Sequence, residues 1–324
     1  MTNTSENAAP KARLPVVRRS TRWLAKRRTL LATVACVGAF ASQEAGVVYA
    51  QNVVPPSGGP CIVVGAIATC TGDLSAGVAA TGPVIDTLNV NNLTQNLQNT
   101  GGANAIDFTT VNNNITINLD LGTFEAIATG GRAVNANVNG TGPFNAVGDI
   151  TINTIGNLKS NLLGIDGFIR GKGRVDITSR GNIEGQFGAI DGQVLDTGSV
   201  RVDSIGNVRV VTAPWPGFPV RPFDIYGIRG SVRNAGDVEI ISNGDIFVSG
   251  SAFATGILAN SPLGAVAPRN TTIRSTGDIT VSSVLSANGI VSSFDSGTHY
   301  CPVKSRINSV AWAEPPAQMC CRNL

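Results

Sequence analysis

The sequence predicts an all-β chain folded as a right-handed parallel β-helix, a solenoid in which each short coil stacks on the one before. A 25-residue unit recurs in phase, apolar residues alternate within each unit, and glycine followed by asparagine or aspartate separates the apolar runs. The composition agrees with this, because the chain is 42% hydrophobic but only 5% aromatic, with 38 glycines in 324 residues. Such a composition favours β-structure with many tight turns.

The repeat is clearest from residue 148 onward. Alternation after the first glycine of each unit predicts a strand with one buried face, so Ile152, Ile177 and Val202 are expected to stack. One unit cannot bury this apolar stripe alone, whereas stacked units bury it as a continuous core. An antiparallel sandwich or barrel also has short strands and turns. That fold does not, however, require the same residue types to recur at the same positions of every 25-residue unit. The in-phase glycines are Gly148, Gly173 and Gly198, then Gly156, Gly181 and Gly206, the second set each followed by asparagine.

Two proline-rich stretches interrupt the period. The same phase returns at Gly236 and more weakly at Gly277, after longer spacings of 38 and 41 residues. The extra residues fall around APWPGFPVRPF and SPLGAVAP. Because proline cannot donate to a sheet ladder, both stretches are expected to leave the stack as insertions at its corners.

Residues 1–50 have the pattern of a secretory signal peptide. A basic cluster at 18–28 precedes a short run of apolar or small residues at 30–41. Cleavage is expected after Ala50, with Ala41 as the alternative. The apolar run is shorter than the roughly 20 residues that span a bilayer, so no membrane span is expected in the mature chain. The leader would engage the secretion machinery and direct the protein out of the cytoplasm.

The charge distribution argues against a nucleic-acid partner. Residues 1–50 hold eight of the 24 Lys and Arg and two of the 21 Asp and Glu, which leaves the remainder with a net charge of about −3. These charges are scattered singly along the chain. A nucleic-acid binder would concentrate basic residues on one face.

Three regions follow the leader. Residues 51–103 are predicted to cap the first coil, residues 104–295 to form the β-helix, and residues 296–324 to be an irregular tail. Cys61 and Cys70 flank a short loop in the cap and are expected to form a disulfide in an oxidising compartment. No histidine or further cysteine lies near them, so a metal site is not expected there.

The long basic leader ending VYAQ, the segment CIVVGAIATCTGDLSAGV and the glycine-punctuated coils resemble autotransporter passenger domains. The resemblance covers roughly residues 20–290. It implies a passenger of a Gram-negative bacterium in the periplasm, on the cell surface or released, and often an adhesin. Autotransporters end in a translocator barrel, whereas this chain ends in a cysteine-rich tail that contains its one histidine, His299. Two interpretations of this tail stay open. It is either the result of a truncated or frameshifted gene, whose product would be nonfunctional, or a genuine C-terminal cap.

A polysaccharide-processing β-helix enzyme is the alternative function. Such a site needs carboxylates, or an Arg or Lys base, converging on one face. Asp166 and Asp191 should stack one coil apart, near Arg170 and Lys172, but aspartate before glycine is typical of turns. The carboxylates otherwise look dispersed, so we predict no catalysis and no cofactor.

The expected contact surface is the first insertion and its flank. Aromatic residues and arginine are favoured at the centres of interfaces, and aromatic faces can stack on sugars. The alternative is that the loop folds down over the solenoid. We therefore predict an adhesion or display protein whose partners are host-cell or surface glycans or proteins. The candidate binding residues are Trp215, Phe218, Arg221, Phe223 and Tyr226.

Overall fold

The regular secondary structure of the described residues consists of β-strands. A computed structural model describes residues 53–54, 61–82, 84–99, 102–212, 224–250, 253–260, 270–283, 286–293, 299–300 and 307–311. The predicted leader, the first insertion at 213–223 and most of the second, at 261–269, lie outside this part. Within it, no helix is long and apolar enough to cross a membrane.

The strands are short and follow one another at nearly regular intervals. In the first half they are β1 (Val53–Val54), β2 (Cys61–Val64), β3 (Ile67–Gly72), β4 (Val78–Thr81), β5 (Thr87–Leu93), β6 (Leu97–Asn99), β7 (Ile106–Val111), β8 (Ile115–Ala128), β9 (Val134–Asn139), β10 (Ala146–Val147), β11 (Ile150–Ser160), β12 (Leu163–Ile169) and β13 (Gly171–Arg180). In the second half they are β14 (Ile183–Gly185), β15 (Gly188–Val194), β16 (Gly198–Ile205), β17 (Val208–Val211), β18 (Asp224–Val232), β19 (Gly236–Asn243), β20 (Ile246–Ser249), β21 (Phe253–Asn260), β22 (Thr271–Thr276), β23 (Ile279–Ser283), β24 (Ser286–Ser293), β25 (His299–Tyr300) and β26 (Ile307–Ala311).

Each coil of the central region has three strand segments. In one coil these are β16, β17 and β18, of which the first two belong to a 17-stranded sheet and the third to a nine-stranded sheet. Each segment pairs in parallel with the equivalent segment of the next coil. The chain is therefore a parallel β-solenoid, and the predicted fold class is confirmed.

Columns of branched apolar side chains fill the interior. Ile152 pairs in register with Ile177, and Ile177 pairs with Val202, so the predicted stacking of these positions is confirmed. All three are 0% exposed. Burying a side chain of this size contributes roughly 1.5–3 kcal/mol. The nine-stranded sheet supplies a parallel column on the opposite side of the interior: Val134, Ile165, Ile190, Ile228, Ile257 and Ile290.

The second glycine of each unit forms the corner within the 17-stranded sheet. Gly181 and Gly206 have φ angles of 136° and 125°, which side chains rarely adopt. A Cβ at either position would also overlap the carbonyl oxygen of the equivalent glycine one coil earlier. Conformation and space therefore both restrict this corner to glycine.

Asparagine follows that glycine because its side chain links the coils. The backbone N–H of Asn182 donates to Asn157 Oδ1, and the N–H of Asn207 donates to Asn182 Oδ1, each at 3.0 Å. Asp245 and Asp278 continue the ladder with aspartate in place of asparagine. Each side chain thus satisfies a corner N–H that has no partner in its own coil.

The N-terminal end of the stack is closed by antiparallel pairing. β2 and β3 form a hairpin in which Cys61 faces Cys70, and the two residues form the predicted disulfide. β3 then pairs in parallel with β5, and β4 with β7. The parallel stack therefore begins well before the predicted boundary at residue 104, and the antiparallel part is confined to β1 and the hairpin.

The backbone also continues the stack beyond the predicted end of the repeats. β25 pairs in parallel with β22, and β26 pairs with β23, placing Ile307 in register with Ile279. Two segments of the predicted irregular tail thus follow the coil pattern. The regular spacing is lost in the sequence because the connections between these strands have other lengths.

The corner glycine generates a testable prediction. Gly181→Ala should lower the free energy of unfolding by about 3 kcal/mol, because the substitution imposes a strained φ and a clash with the neighbouring coil. Gly65→Ala is the matched control, since Gly65 also has a positive φ, 60°, but nothing lies within 4 Å of a Cβ there. We expect the control to cost about 1 kcal/mol. Equal losses in urea denaturation of the two variants would contradict the role of coil contact.

Candidate functional site

The predicted contact surface is only partly within the described residues. Trp215, Phe218, Arg221 and Phe223 lie outside them. Tyr226 is described, and its place differs from the prediction: it lies within β18 and is 5% exposed. Its hydroxyl donates to an aspartate carboxylate one coil away. Tyr226 therefore belongs to a buried polar cluster and not to an exposed loop surface.

That cluster lies on the outer face of the nine-stranded sheet. Asp166 and Asp191 are register partners on β12 and β15, as the repeat predicts. They alternate with Ile165 and Ile190, which face the interior, so the aspartates point outward. The interpretation of both as turn residues is wrong, because each lies in mid-strand and is nearly inaccessible, at 6% and 1% exposure.

Further polar residues occupy the same outward-facing position in successive coils, and we call this set the outward row. Its members pair in register from coil to coil in the order Asp107, Asn135, Asp166, Asp191 and Arg229. Asn135 Nδ2 donates to Asp107 Oδ1 at 2.6 Å. The expectation that the carboxylates are dispersed is therefore wrong for this face, where three of them share one row.

Asp191 is the most fully bonded residue of the cluster. Arg229 approaches it with both Nε and Nη2, and the Nε donates to Asp191 Oδ1 at 2.8 Å. The Tyr226 hydroxyl and the Gln193 carboxamide each donate to Asp191 Oδ2 at 2.8 Å. The guanidinium of Arg229 also lies over the Tyr226 ring, 4.3 Å from its centroid. The buried Asp191 carboxylate thus accepts hydrogen bonds from three different side chains.

Asp166 is less well satisfied. Arg132 Nε lies 2.5 Å from Asp166 Oδ2, which makes an ion pair, but the Nε makes no hydrogen bond and Asp166 Oδ1 has none either. Burial, and then the nearby charge of Asp191, raise the pKa of Asp166 to about 7, although Arg132 and Arg229 oppose the change. Asp166 therefore gains a proton near neutral pH.

The electrostatics of the other two members follow from the same geometry. Burial, reinforced by the Asp191 carboxylate, raises the pKa of Tyr226 well above its usual value, so its hydroxyl stays protonated and donates. Burial alone would lower the pKa of Arg229, but Asp191 raises it above the usual value. Within the cluster, Asp166 is therefore the group that titrates near neutral pH, while Arg132 and Arg229 form ion pairs with the two aspartates.

The cations of the cluster are not the ones that the sequence singled out. Arg170 and Lys172 lie exposed at the next corner, whereas Arg132 and Arg229 form the ion pairs. A signal for Arg229 was present in the sequence. The motif that reads Ile-Asp-Gly at 165–167 and at 190–192 reads Ile-Arg-Gly at 228–230, in phase once the first insertion is removed.

A second polar feature is a cavity of about 760 Å³ near the N-terminal end of the stack. Its lining consists mainly of carboxamide side chains with one aromatic ring. The lining residues are Ser75, Ala76, Gln95, Asn96, Gln98, Asn99 and Phe124. None of these side chains is charged. Several of these residues come from the asparagine-rich stretch between Asn89 and Asn118, but the sequence alone does not indicate a cavity there.

No group of three or more His, Cys, Asp or Glu residues that could hold a metal ion occurs within the described ranges. In the outward row, arginine side chains occupy the positions beside the aspartates. The geometry of this row shows ion pairing, and Asp166 takes up a proton near neutral pH.

The titrating aspartate makes stability depend on pH. Its folded pKa of about 7 lies above the ordinary 3.8, so the folded state binds the proton more tightly. Its contribution to stability is full below pH 4 and is lost as the pH rises through 7. Asp166→Asn should therefore flatten the fall in unfolding free energy between pH 4 and 8, and should be more stable than the unmodified protein at pH 8.

Asp191→Asn is the matched control for that variant. It removes the carboxylate that pairs with Arg229, so it should lower stability by about 3 kcal/mol at pH 8. Denaturant unfolding at several pH values measures both effects. A pH profile of Asp166→Asn that coincides with the profile of the unmodified protein would show that Asp166 does not titrate as described.

Comparison with known proteins finds no similarity to report: no family model, no curated protein and no solved structure matches this chain. The resemblance to autotransporter passengers therefore stays an expectation from the sequence. The features of the chain that bear on function are the outward charged row, the carboxamide-lined cavity and the insertions between coils.

Proposed function

We propose that this chain is an exported β-solenoid of the autotransporter-passenger type, which binds or displays ligands at the cell surface without catalysis. The observation that carries the proposal is that the stack keeps its register across the first insertion. Gly198 pairs with Gly236, 38 residues away, and every position of β16 has its partner on β19. The ladder between these two coils is therefore complete without the extra residues, and the spacing alone changes.

Both long insertions border the same sheet. The first separates β17 from β18, where the chain enters the nine-stranded sheet, and the second separates β21 from β22, where it leaves that sheet one coil later. The preceding coil makes the first of these connections with two residues, between β14 and β15. A scaffold that lengthens neighbouring corners without disturbing its core is suited to presenting binding loops.

Two further features support export and the absence of catalysis. A disulfide in the N-terminal hairpin is stable in an oxidising compartment, in agreement with the predicted leader. Asp191 is 1% exposed and is bonded to arginine, tyrosine and glutamine side chains, and Asp166 forms an ion pair with Arg132. A substrate has no access to a carboxylate that is covered in this way.

Deletion of residues 213–223 tests the proposal. The deletion leaves a spacing within two residues of the regular period, so the β-sheet circular dichroism and the thermal midpoint should change little. Binding to host cells and to immobilised glycans or proteins should fall at least tenfold, because Trp215, Phe218, Arg221 and Phe223 are removed. Deletion of residues 261–269 is the matched control, since that stretch contains no aromatic residue, and it should leave binding intact.

Two outcomes would contradict the proposal. If the 213–223 deletion unfolds the protein while the control deletion does not, the first insertion is a structural flap. If the folded deletion variant binds as before, the adhesive surface lies elsewhere.

The specific observation that favours the second candidate, a polysaccharide-processing enzyme, is the alignment of Asp107, Asp166 and Asp191 in one row. Release of reducing ends or unsaturated products from plant or bacterial polysaccharides would support it, provided that Asp166→Asn abolishes the release. The extensive pairing of Asp191 makes this the weaker candidate.

A further inference from the structure

The cavity near the N-terminal end exists because two coils share an enlarged corner. Val90 pairs with Leu119 and Leu97 pairs with Ala126, so both coils have six residues at this corner. In the next coil the corner is shorter. Ile155 pairs with Asp120 and Asn157 pairs with Glu125, so the single residue between Ile155 and Asn157 lies opposite the four residues at 121–124. The chain therefore uses three more residues here than the regular coil requires, and they bring Phe124 to the cavity.

The walls are held in place by bonds within and between the first coils. The Gln98 N–H donates to the Ser75 carbonyl at 2.9 Å, and the Glu125 N–H donates to Asn96 Oδ1 at 3.1 Å. Asn99 Nδ2 donates to the Asn104 carbonyl at 3.0 Å. The cavity is thus a formed feature of the stack.

The lining combines neutral amides with one aromatic ring. Gln95, Asn96 and Gln98 are exposed, whereas Phe124 is half-buried and packs against the core, which fixes its ring. Each carboxamide both donates and accepts hydrogen bonds, as a sugar hydroxyl does. A fixed aromatic ring offers an apolar surface to the C–H groups of a sugar ring. The volume lies within the ordinary range of ligand sites, roughly 300–1,000 Å³.

We propose that this cavity binds a neutral saccharide. Among the described residues, no cationic side chain lines the cavity. The acidic residue Asp73 is hydrogen-bonded to Ser75 of its wall, and the acidic residue Glu125 to Asn96. Sialylated, sulfated or uronate-rich glycans are therefore disfavoured by like charge. This inference deepens the proposed binding function, since it names a ligand class and a second site in the N-terminal coils. It does not depend on the insertion at 213–223, which lies several coils away along the sequence.

The test uses the mature chain and a fixed panel of probes. The neutral probes are hexasaccharides of glucose, mannose, galactose and N-acetylglucosamine, and the acidic probes are sialyllactose and hexagalacturonate. Titration calorimetry and saturation-transfer NMR measure binding. We expect at least one neutral probe to bind and the acidic probes not to bind.

Variants locate the site. Phe124→Leu keeps apolar bulk against the core but removes the flat ring, and Gln98→Glu places a charge at an exposed position of the wall; each should weaken binding at least tenfold. Asn153→Ala and Phe247→Ala are the controls, an exposed amide and a half-buried aromatic in later coils, and both should bind as the unmodified protein does. Circular dichroism and the thermal midpoint verify that each variant is folded.

The outcomes separate this inference from the proposed function. Binding of a neutral probe that survives deletion of 213–223 but is lost in the folded Phe124→Leu and Gln98→Glu variants supports the cavity, whatever the insertion does. Absence of binding by every neutral probe, preference for an acidic probe, or full binding by both cavity variants would overturn it.

Discussion

In-register stacking of each coil on the one before is the constraint on which the rest of this structure depends. A single coil exposes its apolar stripe and leaves the backbone donors and acceptors of its strands without ladder partners, so it has no stability of its own. Placed on a neighbour at a spacing of about 4.8 Å, it buries the stripe and completes a parallel ladder. A slip of one residue would reverse every side chain between interior and surface, so the period has to be kept at each inward position.

The same stacking places identical or complementary polar residues above one another, and this has opposite effects at different positions. At the corners, asparagine on asparagine is favourable because each Oδ1 accepts the N–H of the next coil. In the outward row, aspartate on aspartate brings like charges together, and Arg132 and Arg229 flank the pair in the adjoining coils. Asp166 still carries an oxygen without a partner. Burial is the main cause of the raised pKa of Asp166, and the nearby charge of Asp191 adds to it.

The sequence was sufficient for the fold but not for the site. The fold was readable because the period, the glycine corners and the stacked positions such as Ile152 and Ile177 repeat a local rule in every coil. The Asp166–Asp191 stack followed from the same phase, but its burial did not, since Asp-Gly is also a common turn sequence. The partners were missed for specific reasons: Arg132 precedes its strand, and Arg229 and Tyr226 are shifted out of phase by the insertion. The cavity depends on a three-residue difference in corner length between coils. No residue type in the sequence indicates this difference.

The measurement that tests the stacking register most directly is disulfide trapping between adjacent coils. Thr178 and Asp203 are register partners on the outer face of β13 and β16, so their Cα atoms should be about 4.8 Å apart, within the range that a disulfide spans. Ile205 lies two residues further along β16, about 8 Å from Thr178 by the same geometry. After oxidation and peptide mapping by mass spectrometry, Thr178→Cys with Asp203→Cys should form a bridge, and Thr178→Cys with Ile205→Cys should not. A bridge in the second pair but not in the first would contradict the register and with it the 25-residue coil.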